Sequence, residues 1–126
     1  MTAPDPYTFG SRPPIFLTEV NRLRLSALVV DDPIVARFLQ EELVRAEIVT
    51  RDIPGLVTVG STVKFDDHRL PHMRTCKLVY PDEVTDGRNV SVLSLLGVAL
   101  LGLSVGQSMT WDDETGQQKI TVLDVT

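Results

Sequence analysis

The chain has 126 residues, of which 43% are hydrophobic and 23% are charged, and its formal net charge is −5. This length and composition suit one compact domain with a short appendage. The negative charge argues against a protein that holds nucleic acid chiefly through phosphate contacts, which need clustered Lys and Arg, so a basic protein surface is the expected partner.

Residues 1–14 contain four prolines, no basic start and no apolar segment. They do not resemble a secretory signal, and we expect a flexible tail. The single cysteine, Cys76, cannot form an internal disulfide. Cytoplasmic localisation is therefore expected, because nothing points to an oxidising compartment.

Residues 15–50 are predicted to form a short helical hairpin. In the first helix Thr18 can cap the amino terminus, Glu19 lies in the first turn, and Val20, Leu23 and Ala27 share one face.

The second helix begins at Asp32 and Pro33, an N-cap followed by proline at the first helical position. Its apolar stripe consists of Val35, Phe38, Leu39, Leu43 and Ala46. Because few residues separate the two helices, we expect them to be antiparallel.

From residue 51 to residue 126 the period of the apolar residues changes from about four to two, which predicts strands. They include Val63 with Phe65, the segment around Cys76, and a closing strand from Lys119 to Val125. One helix is inserted between them. The predicted class is α+β, with an antiparallel sheet covered by that helix.

No charge interrupts the sequence from Asn89 to Thr110, which is long enough for a membrane-spanning helix. Gly102 and Gly106 interrupt this run, however, so we predict a strand from Val90, a helix over Leu96–Leu103 and a returning strand instead. The expected core face of that helix is formed by Leu96, Ala99, Leu100 and Leu103.

His68, His72 and Cys76 have the spacing of metal ligands on a helix, but Pro71 lies between them and the following residues alternate as a strand. We therefore predict no metal site, no cofactor and no catalytic residue. Two acidic groups are left for a partner: Asp31 with Asp32 at the hairpin tip, where Asp32 is expected as a cap, and the loop that ends at Asp86. Solvated loops are an equal alternative.

The chain resembles the Gre family of bacterial transcription factors. The resemblance is carried by Ser61–Phe65, by Leu78–Pro81 and above all by Gly97–Gly106, with Ser108 and Trp111 behind them. It implies a carboxyl domain like the FK506-binding protein over residues 51–126 and an amino-terminal antiparallel coiled coil.

Gre factors bind RNA polymerase at the rim of its secondary channel and point the coiled coil inward, where tip residues of cleavage factors help to hold a catalytic magnesium ion. Helices of ten to sixteen residues would reach only about 15 to 24 Å, about half the length found in cleavage factors. We therefore expect a polymerase-binding regulator that does not stimulate transcript cleavage and competes with factors that do.

The resemblance also indicates which residues would contact polymerase: Asp86, Ser91, Ser94 and Leu95. The chain departs from the family at Leu95, where Gre factors usually have proline, and at Gln107, where they have an acidic residue.

Two alternatives remain open. The FK506-binding fold can catalyse prolyl isomerisation, although Phe65, Tyr80 and Trp111 would make a poor aromatic pocket. The subgroup of the Gre family that this chain most resembles is named for regulation of nucleoside diphosphate kinase, so another protein could be the target. The sequence does not indicate an oligomeric state, sequence-specific nucleic-acid binding or membrane association.

Overall fold

A computed structural model of the chain describes residues 12–70 and 73–126, with the backbone alone at Asp113. The described elements, in chain order, are β1 (Phe16–Thr18), α1 (Glu19–Ser26), α2 (Pro33–Arg45), β2 (Glu47–Val49), β3 (Thr62–Asp67), β4 (Met73–Val79), a single 3₁₀ turn (Pro81–Glu83), β5 (Asn89–Ser91), α3 (Leu95–Leu100), β6 (Ser108–Asp113) and β7 (Gly116–Val125). The fold is α+β, which confirms the predicted class. Residues 1–11, most of the predicted tail, lie outside the described residues.

Both predicted helix starts are confirmed by their caps. The Thr18 hydroxyl accepts a hydrogen bond from the backbone N–H of Asn21 at 3.2 Å. The Asp32 carboxylate accepts from the N–H groups of Ile34 at 2.9 Å and Val35 at 3.3 Å. Each side chain satisfies donors that a helix amino terminus leaves without intrahelical partners, so local sequence is sufficient to set these two boundaries.

The apolar stripe of α1 does not face the core. Val20 and Leu23 are 65% and 53% exposed, whereas Leu25 is 1% exposed and lies in the core. The residues that precede the helix explain the difference. Ile15 and Leu17 are buried, so the chain enters α1 in an orientation that turns Leu25 inward and the stripe outward.

The base of the hairpin is joined to the rest of the fold by β1 and β2, which pair in parallel. The N–H of Phe16 donates to the carbonyl of Gly102 at 3.2 Å, and the N–H of Gly102 donates to the carbonyl of Val57 at 2.9 Å. Gly102 has a φ of +80°, and a Cβ there would lie 2.9 Å from that of Ile15. Glycine is required at this junction both for its backbone conformation and for its size.

The large sheet has the strand order β5-β4-β3-β7-β6. The prediction of an antiparallel sheet is wrong at one edge, because β5 pairs in parallel with β4 and places Asn89 opposite Lys77. The cause is the connection formed by residues 80–88, which carries the chain back alongside β4 so that β5 starts in the same direction. The remaining pairs are antiparallel.

Helix α3 is shorter than the sequence predicted. It ends at Leu100, because Gly102 with its positive φ turns the chain away, and Leu103 lies beyond the helix. Leu96 is only half-buried, while Gly97, Val98, Ala99 and Leu100 are buried. Within the described part of the chain, no helix is long and apolar enough to span a membrane.

One cluster of buried apolar residues joins the hairpin to the sheet. It contains Leu25 and Phe38 from the hairpin together with Phe65, Leu78 and Leu100 from the sheet and α3. The two parts therefore share a core. The division of the chain at residue 51 stays a prediction.

A buried charge lies on the same side of α2 as Phe38. The side chain of Glu42 is fully buried and accepts two hydrogen bonds from the Arg45 guanidinium, both at 2.8 Å. Arg45 also donates to the carbonyl of Pro13 at 2.7 Å, and Arg12 pairs with Glu41 at 2.6 Å. Residues 12 and 13 are thus held against α2 by a network centred on Glu42.

Candidate functional site

The predicted contact residues of the carboxyl part lie in one continuous segment, residues 85–95, which precedes, forms and follows the edge strand β5. Asp86 lies in a tight turn. Its carboxylate accepts from the N–H of Arg88 at 2.8 Å, and the Asn89 side chain accepts from both the N–H and the hydroxyl of Thr85. The turn is ordered by these bonds, and the Asp86 side chain is still 51% exposed. A basic group could therefore reach it.

The two serines of this segment are used to fold it. The Ser91 hydroxyl accepts from the N–H of Leu93 at 3.0 Å, while the Ser91 carbonyl accepts from the Ser94 hydroxyl at 2.8 Å. The Ser94 hydroxyl in turn accepts from the N–H of Gly97 at 3.0 Å and caps α3. Ser91 and Ser94 are thus brought together, and their hydrogen bonds determine the shape of the loop that presents Leu95.

Leu95 is the first residue of α3, half-buried and packed against the core. Gly97 makes this arrangement possible. A Cβ on Gly97 would lie 2.8 Å from the carbonyl carbon of Ser91 and closer still to its oxygen. Because Gly97 has no side chain, α3 can approach the end of β5 closely and hold the loop between them in a single conformation.

The hairpin tip is a second candidate site, separate from segment 85–95. Asp31 and Asp32 lie in the loop between α1 and α2, and within residues 12–70 and 73–126 no hydrogen bond or ion pair connects them with segment 85–95. Asp32 is occupied as the cap of α2. Asp31 is exposed and accepts no hydrogen bond within the described residues, so it is the tip carboxylate that is open to a partner.

A cleft between α1 and β4 was not foreseen from the sequence. The Arg24 guanidinium lies 4.4 Å from the centre of the Tyr80 ring, and Glu83 accepts from the N–H of Tyr80 at 3.4 Å. Burial raises the pKa of Tyr80, an effect that the nearby charge of Arg24 opposes. Tyr80 belongs to the predicted strand motif Leu78–Pro81. Its contact with Arg24 depends on which face α1 turns toward the sheet, and the sequence of the motif does not determine that face.

A second unforeseen feature is an apolar groove of about 720 Å³ along the hairpin. We call it the hairpin groove. Its lining is apolar apart from Arg22, Ser26 and Gln40, and comes from α1, the loop, α2 and β2: Leu25, Leu28, Val30, Ala36, Leu39, Leu43, Val44, Ala46 and Ile48. Helices α1 and α2 therefore do not pack against each other along their whole length. The interlocked packing of a coiled coil stays a prediction.

The isomerase alternative gains no open aromatic pocket from this geometry, and the described residues offer no reactive thiol or metal site. Phe65 and Trp111 are 0% and 5% exposed and belong to the core, so they do not line an open aromatic cleft. Cys76 is buried on β4, and burial raises its pKa to about 11, which disfavours the reactive thiolate. Among the described residues, no group of three or more His, Cys, Asp or Glu side chains could hold a metal ion. His72 lies outside them.

Comparisons with known proteins agree on one family. Residues 52–126 match the model of the GreA/GreB transcription elongation factor carboxyl-terminal domain. The regulator of nucleoside diphosphate kinase from Escherichia coli strain K12 is 35% identical over 109 residues, which cover 81% of this chain and 80% of that protein.

Solved structures extend the likeness to the hairpin. A transcription elongation factor GreA/GreB from Nitrosomonas europaea has a TM-score of 0.68 and 32% identity, covering 91% of this chain and 99% of that one. Gfh1 from Thermus aquaticus, at 21% identity and a TM-score of 0.50 over 89% of this chain and 97% of that one, shares the fold. The chain therefore belongs to the GreA/GreB family of transcription elongation factors.

Proposed function

We propose that this protein binds RNA polymerase at the secondary channel, does not stimulate transcript cleavage, and competes there with cleavage factors. The observation that carries the proposal is the length of the hairpin. Helix α1 has eight residues and α2 has thirteen, which correspond to about 12 Å and about 20 Å. A tip on such a hairpin cannot reach as far as the tips of factors whose helices are about twice as long.

The composition of the tip supports the same conclusion. A factor that shares a catalytic metal ion with polymerase needs carboxylates free to act as ligands. Here Asp32 is already bonded to the backbone of α2, which leaves Asp31 as the remaining carboxylate of the pair. One carboxylate on a short hairpin suits occupation of the channel entrance better than assistance in catalysis.

Segment 85–95 is the proposed contact with polymerase. Asp86 supplies an exposed carboxylate, Ser91 and Ser94 hold the loop in shape, and Leu95 presents an apolar surface at the start of α3. The acidic balance of the chain, with a formal net charge of −5, suits a basic docking surface.

With stalled, backtracked RNA polymerase, the protein is expected to leave the rate of RNA cleavage at its intrinsic value. When a cleavage factor is also present, increasing amounts of this protein should lower the cleavage rate by displacing that factor. The measurement is the rate of transcript shortening on a gel. Cleavage above the intrinsic rate with this protein alone would refute the proposal.

Asp86→Asn provides a matched test of the docking segment, because the amide oxygen can still accept from Arg88 while the charge is removed. The concentration of this variant that halves the rate of factor-stimulated cleavage, which we call the competition midpoint, should rise. Asp124→Asn removes another exposed carboxylate, on β7, and should leave that concentration unchanged. Equal midpoints for the two variants would exclude Asp86 from the contact.

Leu95→Pro should compete at a concentration about two- to fivefold lower than the natural protein, because proline restricts the free loop to fewer conformations. The first helical position accepts proline, and the extended backbone of Ser94, with ψ of 161°, suits a residue before proline. The same competition titration measures the effect, and circular dichroism checks the fold. A folded variant with an unchanged midpoint would contradict the expectation.

A second candidate rests on the name of the Escherichia coli relative, a regulator of nucleoside diphosphate kinase. On this second hypothesis the protein binds a nucleoside diphosphate kinase instead of polymerase. A pull-down from lysate, scored for polymerase subunits and for nucleoside diphosphate kinase, separates the two. Recovery of the kinase without polymerase would favour this second function.

A further inference from the structure

The cleft between α1 and the end of β4 contains a buried hydroxyl group without a partner. Tyr80 is 7% exposed, and its hydroxyl oxygen is buried and forms no hydrogen bond within residues 12–70 and 73–126. Native proteins rarely leave a buried polar group in this state, because it loses its bonds to water and gains none in return. The Tyr80 ring lines two cavities, of about 250 Å³ and about 570 Å³. These cavities offer the space for a missing partner.

Two cations border the smaller cavity, which we call the Tyr80 cleft. Arg24 comes from α1 and Lys77 from β4, and neither side chain forms an ion pair in the described part of the chain. The Arg24 guanidinium lies 4.4 Å from the centre of the Tyr80 ring. A guanidinium stacked on an aromatic face is held in position, while the N–H groups at its edge stay available to a ligand. Asn21, one turn before Arg24, adds a side-chain amide to the same cleft.

One carboxylate, that of Glu83, also lines the Tyr80 cleft and limits the charge that the cleft accepts. It is kept beside the ring, because it accepts from the backbone N–H of Tyr80 at 3.4 Å. Together with Arg24 and Lys77 it leaves the cleft with one net positive charge. A singly charged anion matches this charge, whereas a dianion would be repelled by Glu83.

We propose that the Tyr80 cleft binds a carboxylate group. Arg24 and Lys77 supply the positive charge, and the hydroxyl of Tyr80 donates a hydrogen bond to one carboxylate oxygen. Val59 and Val79 line the same cleft and give the carbon atoms of the ligand an apolar contact. This chemistry fits a small free monocarboxylic acid and equally the side chain of an acidic residue in a partner protein.

A titration of the full isotope-labelled chain with sodium acetate, followed by NMR, tests the proposal. Acetate has few atoms, so we expect millimolar affinity. It should shift the signals of the Asn21 side-chain amide and of the Gly60 N–H, since both residues line the cleft. The shifts should saturate, and sodium chloride at the same ionic strength should not reproduce them. Absence of saturable shifts at these groups would overturn the proposal.

Tyr80→Phe removes the hydroxyl and leaves the ring in place. It should raise the dissociation constant for acetate about fivefold or more. The urea unfolding midpoint of the acetate-free variant should not fall, because the hydroxyl has no hydrogen bond to lose. A purely structural hydroxyl would show the opposite pattern, with a lower unfolding midpoint and unchanged acetate binding, and that result would refute the proposed role.

Lys77→Met tests the cleft through a side chain that is exposed and does not contribute to the core. It should raise the dissociation constant for acetate about threefold. Lys119→Met is the matched control, since Lys119 is also an exposed lysine in a strand of the large sheet but does not line the cleft. Its acetate binding should equal that of the natural protein. Equal weakening by the two substitutions would mean that acetate responds to overall charge, against the proposal.

Two further ligands identify the source of the carboxylate and its charge. A glutamate peptide blocked at both ends should bind at least as tightly as acetate if the natural ligand is a protein side chain, and more weakly if it is a small free acid. Either result supports the site. Inorganic phosphate at about pH 8, where it is mostly a dianion, should bind more weakly than acetate, and tighter binding would contradict the proposal. These titrations need no polymerase, so their outcome is independent of the proposed function.

Discussion

Replacing Gly97 by alanine is expected to destabilise the protein by about 3 kcal/mol or more. The new Cβ would lie 2.8 Å from the carbonyl carbon of Ser91 and 3.0 Å from the Cα of Val92, and both are backbone atoms. They cannot move as a flexible side chain would, so α3 must shift away from β5. Urea denaturation followed by circular dichroism measures the loss as a lower unfolding midpoint.

Gly87→Ala is the control for this experiment. A Cβ at Gly87 would meet no atom within 4 Å, and its φ is not in the left-handed region. Its unfolding midpoint should equal that of the natural protein. A Gly97→Ala variant as stable as Gly87→Ala would show that α3 does not need its close approach to β5.

Arg45→Met is expected to cost about 3 kcal/mol of folding free energy. It removes two hydrogen bonds of 2.8 Å from the fully buried carboxylate of Glu42 and leaves that charge with Arg12 at 3.7 Å. A buried carboxylate that loses its principal partner must either be protonated or draw in water. Thermal and urea unfolding both measure the effect.

Two further variants separate the buried charge from the loss of side-chain packing. Arg22→Met breaks an ion pair of the same helical spacing, but the pair formed by Arg22 and Glu19 is exposed, so stability should hardly change. In a double variant with Glu42→Met and Arg45→Met, most of the loss should be recovered, because no buried charge is left alone. A double variant less stable than Arg45→Met alone would contradict this interpretation.

Features encoded by a few adjacent residues were predictable from the sequence. Asp32 followed by Pro33 strongly favours a capped helix start, and α2 begins there in the structure. The strand around Cys76 and the returning strand at Trp111 follow from alternation over a few residues. In each case the interaction that decides the structure lies within one turn or one strand.

Features that depend on distant contacts were not predictable. The exposure of Val20 and Leu23 depends on how Ile15 and Leu17 enter the core, and the parallel pairing of β5 depends on the path of residues 80–88. An apolar residue on a helix has no local signal that tells whether its face meets the core or the solvent.

Buried charges were missed for the same reason. Asp67 is 3% exposed on β3 and bonds to Arg69 and Arg74. Burial acts to raise the pKa of Asp67, but the hydrogen bonds and charges of the two arginines outweigh it, so this pKa lies below its ordinary value. Neither this burial nor that of Glu42 can be inferred from residue type, because Asp and Glu are mostly exposed.

The candidate site could be predicted only in part from the sequence. Family resemblance pointed to Asp86, Ser91, Ser94 and Leu95, and they do occupy one segment. That the two serines are engaged in folding the loop, rather than free to meet a partner, depends on backbone geometry.

The parallel pairing of β1 with β2 limits how the length of the α1–α2 hairpin can change in evolution. The chain enters α1 directly from β1 and leaves α2 directly into β2, so both ends of the hairpin are fixed side by side. Residues can then be added only at the far loop and in equal numbers to both helices. One extra turn on each helix lengthens the hairpin by about 5.4 Å. The base of the hairpin is therefore a fixed reference point, and insertions at the loop can change the length of the hairpin without altering the sheet.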